Sequence, residues 1–128
     1  MISAVVGIVL DIETKKVLLG KSISKDSRNG QLCFPGGGVN KNENLQLATE
    51  REVWEETGIK CLCREKFLTL HNKPHIRFYL CDYINGELKP NEEFSDISFY
   101  DVHEVLKNND FYPENKKMLE YCLEHNLF

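Results

Sequence analysis

The 128 residues suffice for one domain, residues 1–128, burying about two-thirds of the surface its extended chain exposes. Hydrophobic residues at 41% and charged residues at 28% give the balance of a soluble globular chain. The net charge of −4 supplies no basic footprint, so neither nucleic acid nor an anionic membrane is an expected partner.

The N-terminus lacks a basic region and turns acidic after Leu10, so it reads as a strand and not as a secretory signal. No apolar run approaches the length of a membrane span. Ala4 to Leu10 is β-branched and apolar, a buried strand, and Val17-Leu18-Leu19 is expected to pair back on it as a hairpin. Lys21 to Gly30 is polar and turn-rich and reads as a surface loop; Lys21, Lys25 and Arg28 there are candidates for grasping anionic groups, Lys21 first because it directly follows a strand. Gln31 to Phe34 forms a short strand leading into Pro35-Gly36-Gly37-Gly38, where missing side chains allow close backbone approach and positive φ.

A helix follows, with Asn40 or Asn42 as its cap, Glu43 in its first turn and Thr57-Gly58 as its stop. Beyond it, 60–70 and 75–83 read as strands joined by 71–74, and Asn85-Gly86 signals a hairpin between Tyr83-Ile84 and Glu87-Leu88. An acidic loop, 90–94, precedes a short strand at 97–100 and a short helix at 102–106. Pro113 opens a terminal helix in which Met118, Leu119, Cys122 and Leu123 recur at helical spacing. Strands alternating with two sizeable helices predict an α/β (mixed α+β) fold: a mixed sheet between a central and a C-terminal helix. Five cysteines without C-x-x-C spacing read as free thiols of a reducing cytoplasm. His71, His75, His103 and His125 form no metal-spaced set.

The central helix carries one anomaly. Glu52, Glu55 and Glu56 stand at i, i+3 and i+4 and so share a face, breaking an apolar stripe that includes Leu45, Ala48 and Ile59. Like charges so spaced cost an exposed helix about 0.2–0.5 kcal/mol per pair, and more when partly buried without a partner. Two readings meet here. In one, the face is simply solvated and Leu47, Val53 and Trp54 form the core side. In the other, divalent cations balance the carboxylates, and hard oxygen ligands point to Mg²⁺ or Mn²⁺.

The spacing Gly37-x5-Glu43-x7-Arg51-Glu52-Val53-x-Glu55-Glu56-x-Gly58-Ile59 resembles the signature box of the Nudix hydrolases, with every fixed position filled. The resemblance implies an α/β/α sandwich and cation-dependent hydrolysis of a phosphoanhydride in a nucleoside diphosphate linked to another group. It implies Glu52, Glu55 and Glu56 as metal ligands, joined by the carbonyl of Gly36 and by a carboxylate of the 90–94 loop, where Glu92 and Glu93 both qualify. Glu93 is the expected ligand of the two. The resemblance implies that one of the helix glutamates, or one on a distant loop, activates the water, Glu52 being the one expected here, and Arg51 is expected to act as an orienter of Glu43 or Glu55. Expected substrate contacts are Lys21, Arg28, Phe34, Gly37 and Asn115.

Two markers of substrate disagree. Phe111-x-Pro113-x-Asn115 resembles a segment of the MutT-like branch, whose asparagine contacts a purine of a nucleoside triphosphate. Pro74, fifteen positions after Ile59, resembles the ADP-ribose branch. The short chain favours triphosphates, giving a monophosphate and pyrophosphate. Alternatives are ADP-ribose or dinucleoside polyphosphates, the 5′ end of RNA, and a sensing module without turnover, which the intact glutamate set disfavours. Monomer and homodimer both remain open.

Overall fold

The computed structural model describes residues 1–89 and 91–127; Pro90, at the start of the expected acidic loop, and Phe128 lie outside the described residues. Seven strands form one mixed sheet: β1 (Ala4–Asp11), β2 (Lys16–Ser22), β3 (Leu32–Cys33), β4 (Gly36–Gly38), β5 (Ile59–Leu70), β6 (Lys73–Gly86) and β7 (Phe94–Asp101). Among the described residues three helices accompany them: α1 (Leu45–Thr57), α2 (Val102–Val105) and α3 (Pro113–Glu124). The main path runs β3-β2-β1-β6-β5, with β7 added to β2 and β4 to β1.

Period-two side-chain alternation sorts β1 between two cores. Val5 and Val9 face α1, with Leu18, Ala48, Val53, Tyr79 and Cys81. Ile8 and Leu10 face the other layer, with Leu19, Phe78, Val105, Met118 and Leu119. The sheet is therefore sandwiched between α1 and the α2–α3 side, as the order of elements predicts. Both faces being covered explains why β1 reads as an unbroken apolar run.

One edge of β1 is shared. Its C-terminal end pairs antiparallel with β2 (Leu10↔Val17), and its N-terminal end pairs antiparallel with β4 (Val5↔Gly37). Its other edge runs parallel to β6. The three glycines thus form a strand and not a loop, and none has positive φ. Their lack of side chains serves close approach instead: a Cβ on Gly36 would lie 2.4 Å from the carbonyl oxygen of Val5, and one on Gly37 2.4 Å from Oε2 of Glu52.

Other expectations need correction. The cap of α1 is Asn44, whose side chain accepts from the Leu47 amide at 3.0 Å. Asn42 is taken up by a turn at φ 63°, and Glu43 precedes the helix, accepting from the Asn40 amide at 3.0 Å. Asn85-Gly86 makes no hairpin: β6 runs through Gly86, which pairs with Ile59, and 87–89 are not strand. Gly86 sits at φ 124° where a Cβ would meet the Gly58 carbonyl at 2.4 Å, so glycine there serves tight passage of two chains. Lys21 belongs to β2, opposite Asp96 of β7, because the ladder to β7 continues past Gly20. Pro74 lies inside β6, since the Leu70↔Lys73 pair closes the β5–β6 hairpin before it.

Candidate active site: a carboxylate helix beside a cleft

On α1 the inward positions are Ala48, Thr49, Val53, Glu56 and Thr57. Leu47 and Trp54 are 60% and 52% exposed, so the helix faces outward with apolar groups and inward with a carboxylate. Of the residues expected on a core side in the solvated reading, only Val53 is buried. Gly58 ends the helix at φ 80°, its amide donating to the Trp54 carbonyl.

Glu56 is 8% exposed, and its Oε1 accepts from the Gly36 amide at 2.8 Å. Burial pushes its carboxyl up to about 8; the neighbouring charges of Glu52, Glu93 and Glu55 add to the rise, and the Gly36 amide opposes it. One neutral hydrogen bond does not offset the several kcal/mol cost of burying an ionised carboxylate. The site is short of positive charge.

Arg51 supplies part of it. Its Nε and Nη2 grip both oxygens of Glu43 at 2.8 and 2.9 Å, its Nη1 reaches Glu52 at 2.9 Å and Glu55 at 3.1 Å, and Nη2 also donates to the Gly38 carbonyl at 3.1 Å. Hydrogen bonding to Glu43 first, then to Glu52 and Glu55, raises the Arg51 pKa, and the same guanidinium holds Glu43 below the usual carboxylate range. Arg51 thus reaches both residues that the spacing offers as partners, and Glu52 in addition. It anchors Glu52 by one oxygen, while the other lies over the bare backbone of Gly37.

Among the described residues no three carboxylate, imidazole or thiolate groups converge as a finished metal cage. Arg51 engages Glu52 and Glu55, and the Gly36 amide engages Glu56. The donor chemistry nonetheless fits a hard divalent cation, being all oxygen around a buried, charge-deficient carboxylate. Glu93 is near enough to be felt by Glu56.

Along the same strand segment, next to Phe34, opens a cleft of about 360 Å³ on the α3 face of the sheet. Arg28, Phe34 and Asn115 line it, with Val6, Ile76 and Phe78 as its apolar floor. The segment before α3 runs beside β3, Leu32 donating to the Asp110 carbonyl and accepting from the Tyr112 amide. That pairing brings the first turn of α3 to Phe34, where Asn115 Oδ1 accepts from the Phe34 amide at 2.9 Å. Arg28 is paired to Asp26 at 2.8 Å.

Lys21 is exposed on β2 and does not line the cleft, and Gly37 borders the carboxylates instead. All four histidines are exposed, and none lines the cleft. The five cysteines are free and buried; Cys61 and Cys63 lie in the α1-side core, and the Sγ of Cys63 lies 3.2 Å from that of Cys81. Three further lining residues carry no sequence signal. Lys73, at the start of β6, pairs with Glu114 at 2.6 Å, and the Tyr112 hydroxyl donates to the same oxygen at 2.6 Å. Burial alone would raise the Glu114 carboxyl, but Lys73 and Tyr112 together hold it below the ordinary value. Burial and Glu114 push the Tyr112 hydroxyl up to about 12.

A NUDIX domain model matches residues 1–122. The chain belongs to the Nudix family. It is 31% identical over 93 residues to the 8-oxo-dGTP diphosphatase of Buchnera aphidicola subsp. Schizaphis graminum, covering 70% of each chain. It is 29% identical over 100 residues to the ADP-ribose pyrophosphatase of Methanocaldococcus jannaschii, covering 72% of this chain and 58% of that one. In structure it resembles the MutT protein of Methanosarcina mazei Go1, with a TM-score of 0.75 and 26% identity over 98% of this chain and 94% of that one. This Nudix protein is therefore a pyrophosphohydrolase of nucleotide substrates, and such hydrolases use divalent metals. Among its described residues no helix is long and apolar enough to cross a membrane.

Proposed function

We propose that the chain hydrolyses a purine nucleoside triphosphate to the monophosphate and pyrophosphate, preferring a base with a 6-oxo group. The observation that carries this reading is the fixed orientation of Asn115. Its Oδ1 is engaged by the Phe34 amide, so the end of the amide left for a ligand in the cleft is the Nδ2 donor. A donor matches the adjacent O6 and N7 acceptors of guanine, whereas adenine presents its own N6 donor at the first of these points. The apolar floor stacks the base, and Arg28, paired with Asp26, lines the same cleft.

From the cleft, the polyphosphate runs along Gly36–Gly38 towards the helix carboxylates. Glu52, Glu55, Glu56, the Gly36 carbonyl and Glu93 would hold Mg²⁺ or Mn²⁺. Bound there, the cation withdraws charge from the phosphoryl oxygens and acidifies water. Glu52 takes the proton of the attacking water, with one oxygen steadied by Arg51 and the other open over Gly37. Water adds to phosphorus, the anhydride bond breaks, and pyrophosphate leaves. Glu43 and Arg51 keep the helix carboxylates in register.

A second reading, ADP-ribose cleavage, is favoured by the methanogen relative's name. A nucleotide panel with Mg²⁺ or Mn²⁺ and product analysis separates the two: dGTP or its 8-oxo form giving monophosphate and pyrophosphate supports the proposal, and turnover confined to ADP-ribose defeats it. Asn115→Asp keeps an acceptor for the Phe34 amide but removes the donor, so the preference for 6-oxopurines over dATP should fall.

A further inference from the structure

The Glu92–Glu93 loop reaches the site from a part of the chain remote from α1, and its own charge opposes docking beside three glutamates. The C-terminus of α1 offers the attachment. The last four carbonyls of a helix have no partner within it. Two of these are taken by the loop: the Lys89 amide donates to the Thr57 carbonyl at 2.9 Å, and Nδ2 of Asn91 donates to the Glu56 carbonyl. The other end of the Asn91 side chain faces the loop. Its Oδ1 accepts from the amides of Glu93 at 2.7 Å and of Phe94 at 3.0 Å. The Glu93 carbonyl in turn accepts from the Ile23 amide at 3.1 Å, which closes the loop against the end of β2.

We propose that Asn91 is a positioning residue of the carboxylate site: by joining the Glu56 carbonyl to the amides of Glu93 and Phe94, it delivers the loop carboxylate to the helix carboxylates. The proposal rests on reading those carboxylates as a cation site. An amide is required because one end must donate and the other accept. Aspartate would set an acceptor against the Glu56 carbonyl, and alanine would make neither bond. No corresponding tie holds the Glu92 side chain among the described residues.

The test is Mn²⁺ binding to the nucleotide-free protein, read from the electron paramagnetic resonance of free Mn²⁺, in wild type, Asn91→Ala, Glu93→Gln and the double variant. Loss of an outer-shell partner weakens metal binding by about tenfold or more, and Asn91→Ala should do so. Because Asn91 acts through Glu93, the double variant should bind no more weakly than Glu93→Gln alone. Unchanged affinity in Asn91→Ala, or losses that multiply in the double variant, overturns the proposal. Should Asn91→Ala fail to fold, hydrogen exchange in the wild type decides: the Glu93 and Phe94 amides should exchange more slowly than in a free peptide, and free-peptide rates overturn it. A wild type that binds no Mn²⁺ removes the cation-site reading itself, and the exchange rates then judge the tie alone.

Discussion

The two sides of the Phe34–Gly38 segment handle charge in opposite ways. In the cleft, the charges are matched: Lys73 with Glu114, and Arg28 with Asp26. Around α1, four glutamates share Arg51 and the Gly36 amide, and Glu56 is buried at a carboxyl value near 8. A balanced pocket can hold a ligand by shape and hydrogen bonding with little reorganisation. An unbalanced one stores a demand for positive charge, which a bound divalent cation would meet. The cleft and the carboxylates thus lie on opposite faces of one sheet, joined by five residues of chain, and the proposed function assigns recognition to the first and chemistry to the second.

If that contrast is right, the largest effect belongs to Glu56. Glu56→Gln keeps the bond to the Gly36 amide and removes the buried charge; kcat should fall by at least about 100-fold, the low end for a catalytic group, with circular dichroism unchanged. The metal-free variant should also melt higher than metal-free wild type. Retained turnover would remove Glu56 from the site. The same group gives a pH signature. Its folded value of about 8 stands above its ordinary value of 4.5, so between these the unfolded chain has released a proton that the folded chain keeps. The Glu56 contribution to metal-free stability, read as wild type against Glu56→Gln, should therefore be largest below about pH 4.5, decline up to about 8 and level off above, a slope that saturating Mg²⁺ flattens. A difference that stays level across this window would contradict the charge imbalance.

Next comes Arg51→Lys, which keeps the charge but not the planar fork that holds Glu43, Glu52, Glu55 and the Gly38 carbonyl. Affinity for Mn²⁺ and kcat should each drop about tenfold or more, and a calorimetric titration measures the first directly. In the balanced pocket the response should be milder and different in kind. Asn115→Ala should raise KM about fivefold to tenfold, the worth of one hydrogen bond, with kcat little changed; a drop confined to kcat would move Asn115 from recognition to chemistry. Smallest of all, Glu92→Gln should alter kcat/KM by less than about twofold, as expected of an exposed group without a tie to the site.

The strands, the helices and the carboxylate box were legible because each is a local pattern. β1 alternates between two cores, α3 opens at Pro113 and repeats its apolar residues, and the glutamates fall on one face of α1. Misreadings arose where one short signal served a different tertiary need. Asn85-Gly86 has the composition of a turn but lets two strands pass closely, and Asn42 has the chemistry of a cap but occupies a left-handed turn two residues before Asn44.

What the sequence determined alone is the family and the acidic face of α1, since both rest on residues closely spaced in one segment. Folding decided which groups meet. Asn115 comes to Phe34 across 81 positions, Lys73 to Glu114 across 41, and Asn91 to the carbonyl of Glu56 across 35. No local periodicity encodes such pairs, because their partners are chosen by how sheet layers pack and not by the geometry of any one helix or strand.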